Sequence, residues 1–193
     1  MMMLVLLASL VALFVRAAAP LPAGEDISTF GWSSFRFGVS PFNGSFSPAS
    51  LEPLWTARIG GVSNAQPLVL TLGTKRCAIV VSEGGYVLSF ELFTGSLLWK
   101  TKIGAFKTTT CSDLGPNDSW GVGGTPVFDA QKNLLYAVNG PGVLFALHVR
   151  TGKVVWKKEL VNGKLLHNYG ALNLIGRSVY ATWVGSFYVL ART

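Results

Sequence analysis

The chain is poor in charge and in the side chains that most often ligate metals or carry catalysis. Charged residues make up 13% of its 193 residues, and it has 2 His and 2 Cys. No haem-attachment or zinc-ligand spacing occurs, and no Ser-His-Asp spacing or carboxylate pair stands out. His148 is expected to pack or to bond a turn. The sequence therefore assigns no catalytic residue and no haem or zinc site.

Acidic residues are scarce as well, with 9 Asp and Glu against 16 Lys and Arg, for a formal charge of +7. The basic residues are scattered along the chain and do not form a stripe or a recognition helix, which excludes nucleic acid as an expected partner. The excess positive charge favours acidic partners or glycans weakly.

Long hydrophobic runs are absent except at the N-terminus, where Leu4 to Val15 are apolar and Ala17–Ala19 follow. Twelve residues are too few to span a bilayer, for which about 20 are needed. Residues 1–23 are thus predicted to be a signal peptide, with an uncleaved anchor or a buried N-terminal helix as the alternatives. We expect a secreted or extracytoplasmic protein (periplasmic or lumenal), with no membrane span after signal removal.

Two further features agree with secretion but have equally good alternatives. Asn43 and Asn117 begin glycosylation sequons, which arise often by chance. Cys77 and Cys111 are compatible with one disulfide, or with two unpaired thiols of which one lies on a buried strand.

What the sequence does contain is a repeat. Gly142 to Trp156 repeats Gly85 to Trp99, with Gly, Thr-Gly and Trp at a constant offset of 57 residues. Each copy alternates apolar positions, breaks at Thr-Gly and closes on Trp and Lys, which is typical of an antiparallel hairpin. The high glycine content, 22 residues, and 12% aromatics also favour an all-β fold.

The repeat predicts four-stranded units over 66–104 and 124–161, and a partial unit over 169–193. Residues 24–50 are expected to be an extended lead-in laid across the domain. Residues 51–60 are expected to be an apolar strand that ends the preceding unit, because Trp55 precedes Trp99 by 44 residues, a normal β-propeller blade length. We therefore assign residues 51–193 to a partial β-propeller.

The motif resembles the pyrroloquinoline-quinone (PQQ) repeat of quinoprotein-alcohol-dehydrogenase-like propellers. Ala146, Thr151, Gly152 and Trp156 match that repeat, whereas His148 stands where Asp is usual. In the first copy Thr94, Gly95 and Trp99 match, and Ser89 and Glu91 replace Ala and Asp. The lead-in also resembles polyvinyl-alcohol-dehydrogenase-like proteins. The resemblance implies an all-β, incomplete propeller of PQQ-like repeats, and it implies no single activity.

Trp55, Trp99 and Trp156 are expected to pack between blades, since each offers a large flat surface to the neighbouring repeat. On this basis Trp156→Ala is expected to cost about 3–5 kcal/mol.

Any ligand is expected on the channel face, formed by the loops between second and third strands and those after fourth strands. The best binding loop is the insertion over 104–124, which explains why Trp99 and Trp156 lie 57 residues apart. Its Asp113, Asn117 and Asp118 offer oxygen ligands for calcium, although a solvated loop is the more common outcome. The candidate residues of this face are Glu83, Cys111, Asp113, Asn117, Asp118, Trp120, Asn139, His167 and Asn168.

Three functions fit these expectations. The first is a binding or scaffold module, with a protein or a small molecule on the channel face. The second is the N-terminal part of a quinoprotein-type alcohol dehydrogenase; the resemblance would then imply PQQ and calcium as cofactors. Its adjacent cysteine pair is absent, because Cys77 and Cys111 are far apart in sequence. The third is a lumenal sensor domain.

The number of blades is itself informative. Two full units and a partial one fall short of the four to eight blades of known propellers. The sequence therefore predicts a fragment of a longer propeller, or an open arc that self-associates through unpaired strand edges.

Overall fold

A computed structural model describes residues 26–31, 52–107, 119–160, 169–183 and 186–191. The first blade contains β1 (Leu68–Leu72), β2 (Lys75–Ser82), β3 (Tyr86–Glu91) and β4 (Leu97–Lys102). A two-stranded ribbon follows, made of β5 (Phe106–Lys107) and β6 (Ser119–Trp120). The second blade contains β7 (Val127–Asp129), β8 (Leu134–Val138), β9 (Val143–His148) and β10 (Val154–Glu159). The third contains β11 (Asn173–Ile175), β12 (Ser178–Trp183) and β13 (Ser186–Ala191).

Every sheet is an antiparallel meander. The strand orders are β1-β2-β3-β4, β10-β9-β8-β7 and β11-β12-β13. The first strand of each blade therefore lies at one edge of its sheet. In the two four-stranded blades, the strand that carries the tryptophan lies at the other edge. No helix occurs in the described ranges. The expected fold class, all-β and a partial β-propeller, is confirmed.

The alternation of side chains places the second blade between two hydrophobic interfaces. One core cluster joins the first two blades and includes Leu70, Ile79, Leu135 and Leu147, all fully buried. A second cluster joins the second and third blades through Tyr136, among others. Because successive residues of a strand point to opposite faces, β8 and β9 supply both clusters at once. The second blade is therefore buried on both faces.

Two of the tryptophans, Trp55 and Trp99, dock on the Thr-Gly turn of the next blade. The Trp55 indole Nε1 donates to the Leu92 carbonyl at 2.8 Å, and the Trp99 indole Nε1 donates to the Val149 carbonyl at 2.9 Å. Leu92 and Val149 are equivalent positions at the end of the third strand, 57 residues apart. The same joint is thus built twice.

The glycine of the turn makes this docking sterically feasible. Gly95 has φ +69°, and a Cβ added there would lie 2.6 Å from the Trp55 ring. Gly152 has φ +67°, and a Cβ there would collide with the Trp99 ring. A side chain at either position would be strained by its backbone and would push the indole away. Thr-Gly therefore serves both the turn and the preceding blade's tryptophan.

A second repeated hydrogen bond joins consecutive units at the opposite end of the strands. The Ser82 hydroxyl donates to the Ile59 carbonyl at 3.0 Å, and the Asn139 amide donates to the Ile103 carbonyl at 2.7 Å. Ser82 and Asn139 both precede the turn between second and third strands. The first and second blades are therefore each tied to the preceding unit at both ends, by tryptophan at one and by a polar side chain at the other.

Residues 26–31 of the lead-in cross the first strands of two blades and reach the third. Ile27 forms a bridge with Val69 of β1, and the Ser28 carbonyl accepts from the Phe128 amide of β7 at 2.9 Å. The Thr29 hydroxyl then donates to the Leu172 carbonyl, one residue before β11, at 3.3 Å. Residues 26–31 thus bond to backbone groups in or next to the first strands of the three blades.

One expected strand does not form. Residues 52–60, predicted as an apolar strand, have no strand assignment and no ladder partner among the described residues. The prediction was wrong because apolar content and a tryptophan do not by themselves make a strand, which also needs a neighbouring strand to bond. Trp55 docks on the next blade nevertheless, and its ring lies 5.6 Å from that of Phe90.

The motif positions that usually hold Asp support the Thr-Gly turns. The Glu91 carboxylate accepts from the backbone amides of Thr94 and Phe93 at 2.7 and 3.1 Å. A hydrogen bond from the Thr94 side chain, together with these two backbone bonds, lowers the pKa of Glu91. His148 Nδ1 lies 3.2 Å from the Thr151 hydroxyl. The expectation that His148 bonds a turn is confirmed.

The outer strand of the second blade differs from that of the first. All six residues of β10 are exposed, and Trp156 is 38% exposed against 8% for Trp99. Trp156 packs on Tyr136, with ring centroids 5.7 Å apart, and pairs with Ala146 in the β9–β10 ladder, but its indole makes no hydrogen bond to another blade among the described residues. Inter-blade docking is therefore seen for Trp55 and Trp99, and the described residues do not show it for Trp156.

This difference changes the expected energetics of the tryptophans. Trp99→Ala should cost about 3–5 kcal/mol of unfolding free energy, because it empties a buried site and leaves the Val149 carbonyl without its donor. Trp156→Ala should cost about 2 kcal/mol, since its ring keeps a third of its surface in water. Urea unfolding of both variants measures the ranking; an equal or larger loss for Trp156→Ala would contradict the docking assignment.

Candidate binding face

The sequence-predicted channel face is organised around Glu83, which lies in the turn between β2 and β3. Its side chain is 6% exposed. Glu83 Oε2 accepts from the Gly121 amide at 2.8 Å, and Oε1 accepts from the Asn64 side chain at 3.4 Å. The Glu83 amide donates to the Val62 carbonyl at 2.8 Å. One carboxylate thus holds together the segment before the first blade and the chain just after the insertion.

Glycines allow three backbone segments to meet at this turn. A Cβ on Gly84 would collide with the Gly60 carbonyl oxygen, and one on Gly121 would collide with the Gly85 amide nitrogen. Neither neighbour can yield, because both are backbone atoms in a tightly packed turn. The close approach of these segments explains why Gly-Gly recurs at 60–61 and 84–85.

Burial makes Glu83 an unusual acid. Loss of solvent raises the pKa of Glu83, and the hydrogen bonds from Gly121 and Asn64 offset that effect only partly. A buried carboxylate resists ionisation because the surrounding protein solvates charge less well than water does. The proton on Glu83 is therefore held more tightly in the folded state than in the unfolded chain.

Asn139, the second polar candidate within the described residues, also has its side chain bonded to the surrounding backbone. It is 4% exposed. Its amide donates to Ile103 as described, and its Oδ1 accepts from the Val143 amide at 2.8 Å. Both ends of the side chain are bonded to backbone, so in this arrangement Asn139 fixes the turn between β8 and β9.

The insertion begins and ends on a short ribbon beside Glu83. Phe106 pairs with Trp120 and Lys107 with Ser119, antiparallel. The Val122 amide then donates to the Ser82 carbonyl at 3.0 Å. The two ends of the 104–124 insertion are therefore anchored together at the channel face, with Trp120 part-exposed at the point where the ribbon leaves the blade.

A cationic and aromatic cluster next to this anchor was missed by the sequence reasoning. The Lys100 ammonium lies 4.0 Å from the centroid of the Tyr86 ring, and that of Lys102 lies 5.7 Å from it. Tyr86 pairs with Lys102 across β3 and β4. A β-bulge beside the Thr-Gly turn, between Ser89 and Phe90, shifts the register so that Tyr86, Lys100 and Lys102 lie at one end of the hairpin and on the same face, which the turn alone does not indicate.

Several predicted residues lie outside the described part of the chain. The candidate binding and calcium positions among them are Cys111, Asp113, Asn117, Asp118, His167 and Asn168, and the sequon residue Asn43 belongs to the same set. Cys77 is a buried free thiol on β2. Within the described ranges, no three His, Cys, Asp or Glu side chains cluster as a metal site would require, and no helix is long and apolar enough to cross a membrane.

The raised pKa of Glu83 predicts a specific pH dependence. Because the folded state binds the proton more tightly, stability should fall as pH rises from about the ordinary value of 4.5 through the folded pKa, and stay level above it. Glu83→Gln keeps an oxygen acceptor and removes the charge, so it should lose this slope and gain stability relative to the wild type toward neutral pH.

Urea midpoints at acidic and neutral pH measure the effect. Glu159→Gln, which removes an exposed carboxylate from β10, is the matched control and should keep the wild-type slope. The same pH dependence in wild type and Glu83→Gln would show that Glu83 is not the group responsible.

Comparison with known proteins adds little to the fold assignment. No family model matches the chain, and no curated protein matches it. Among solved structures, the chain is similar to BamB from Moraxella catarrhalis, at 18% identity and a TM-score of 0.39 over 60% of this chain and 30% of that one. It is similar to the computationally designed Ika4 protein at 12% identity, TM-score 0.33, over 69% of this chain and 92% of that one. For the designed Ika8 protein the values are 13%, 0.30, 66% and 45%. The fold assignment therefore rests on the sheets and joints described above.

Proposed function

We propose that this chain is a binding and scaffold module of the PQQ-like-repeat type, which meets its partner on the channel face. The observation that carries the proposal is the anchoring of the insertion by Glu83, next to the Tyr86–Lys100–Lys102 cluster. A loop presented from a fixed base beside a charged, aromatic surface is the usual design of a recognition site.

The partner we propose is an acidic protein segment. Lys100 and Lys102 are exposed, while Tyr86 is half-buried beneath them, so the cluster offers two positive charges held in place by one ring. Cations stacked on an aromatic ring keep their charge available to carboxylates. The overall charge of +7 would speed the approach of such a segment.

We further propose that the module acts outside the cytoplasm, on the strength of the signal-like residues 1–23. A second mode of assembly is self-association through β10, whose six residues are all exposed. A sedimentation coefficient that stays constant with concentration would argue against this second mode.

The acidic-partner proposal makes a direct prediction for lysine variants. An acidic peptide such as oligoglutamate should bind the full chain in a salt-dependent manner. The double variant Lys100→Gln/Lys102→Gln should bind about tenfold more weakly, because it loses both cations of the cluster. Fluorescence anisotropy of a labelled peptide measures the dissociation constants.

The control is Lys157→Gln/Lys158→Gln, which removes the same charge from the outer strand of the second blade. Equal weakening by the two double variants would mean that net charge alone drives binding, and the channel face would lose its role in the proposal.

A further inference from the structure

A cavity of about 190 Å³ lies between the first and second blades, at the end of the strands opposite Glu83. Its inner wall is apolar, with Leu72, Trp99 and Val149, and it reaches the surface beside Leu98, which is 39% exposed. A cavity of this volume has room for about six water-sized groups, given about 30 Å³ for each. It is independent of the channel face described above.

Two substitutions between the repeats accompany this cavity. Cys77 stands where the second blade has Leu134, and Ser89 stands where it has Ala146, in both cases at the offset of 57. Both Cys77 and Ser89 line the cavity. A thiol is smaller than an isobutyl group, so Cys77 leaves space, and Ser89 places a hydroxyl where the repeat ordinarily has a methyl group.

The Ser89 hydroxyl is the strongest sign that this space accommodates a ligand. Ser89 is fully buried, and its Oγ makes no hydrogen bond of ordinary geometry to the described residues. It does interact with the Cys77 thiol, and that contact lowers the pKa of Cys77 against the larger, raising effect of burial. The Cys77 thiol, its neighbour in the cavity wall, is a weak hydrogen-bonding group. Buried polar atoms are nearly always bonded in folded proteins. An acceptor atom inside the cavity would satisfy this hydroxyl.

The mouth of the cavity is positively charged. Lys75 and Arg150 both line it and both are exposed. Arg150 donates through Nη1 to the Leu72 carbonyl at 3.0 Å, which positions the guanidinium and leaves its remaining N–H groups available to other acceptors. The nearby Glu91 carboxylate is already bonded to the amides of its own turn. An anion at the mouth would therefore meet two cations, Lys75 and Arg150, and one carboxylate, Glu91, that is hydrogen-bonded to its own turn.

We propose that this inter-blade cavity binds a small organic monocarboxylate with a short apolar chain. The carboxylate oxygens accept from the Arg150 and Lys75 cations and from the Ser89 hydroxyl, and the hydrocarbon chain packs against Leu72, Val149 and Trp99. Binding is noncovalent: burial raises the pKa of the Cys77 thiol, which keeps it protonated and a poor nucleophile.

Butanoate, with six non-hydrogen atoms, is the probe that matches the volume. Titration of the full chain, followed by saturation-transfer NMR of butanoate, should show saturable binding with a dissociation constant on the order of 1 mM. Butanamide has the same shape without the charge and should bind at least tenfold more weakly. Arg150→Gln and Ser89→Ala should each weaken butanoate about tenfold.

The decisive variant is Cys77→Leu, which installs the side chain of the second blade. It should abolish butanoate binding by filling the cavity, and it should raise the melting temperature. Lys153→Gln, a cation of the same turn that does not line this cavity, should bind as the wild type does.

Absence of saturable binding to the wild type would overturn the proposal, as would wild-type affinity in a folded Cys77→Leu variant. If Cys77→Leu fails to fold, Ser89→Ala and Arg150→Gln decide, and unchanged affinity in both overturns the site.

Discussion

The structure depends on one contact, made by Trp55 and by Trp99: the tryptophan of one unit lies over the glycine of the next unit's Thr-Gly turn. The contact combines dispersion over a large ring, an indole hydrogen bond to the carbonyl at the end of the third strand, and a backbone that only glycine adopts easily. Since Trp55 makes the contact from a segment without strand pairing, the joint does not require a strand beneath the tryptophan. Repeats held in this way can be added in series, with stability coming from neighbouring interfaces.

At the opposite end of the strands the blades are joined by polar side chains, and the proposed binding face lies there. Glu83 there replaces solvent as the partner of Gly121 and Asn64, and so links the insertion to the rigid turn between β2 and β3. The cost is a carboxylate whose ionisation is disfavoured by burial. Residues 26–31 add a further constraint, because they bond to positions in or next to all three first strands and oppose separation of the blades.

The repeat offset predicted two four-stranded antiparallel units, and the structure contains both. Alternation and Thr-Gly are local signals, so the hairpins could be found without tertiary information. Residues 52–60 were assigned wrongly because strand formation depends on a neighbour that the segment itself does not reveal. The Thr29 bond to Leu172 spans 143 residues, and the Glu83 bond to Gly121 spans 38. Such contacts carry no local pattern, which is why the lead-in's exact path and the role of Glu83 as an anchor could not be predicted.

The most direct test of the tryptophan–glycine joint is a double-mutant cycle between Trp99 and Gly152. If the Trp99 ring occupies the space above Gly152, Gly152→Ala is costly in the wild type, and part of that cost disappears in a Trp99→Ala background, where the positive φ and the close approach to the Thr101 hydroxyl remain unfavourable. Unfolding free energies of the four proteins should then give a coupling of about 1–3 kcal/mol. Additive losses would contradict the account, because they would mean that the two residues do not share a joint.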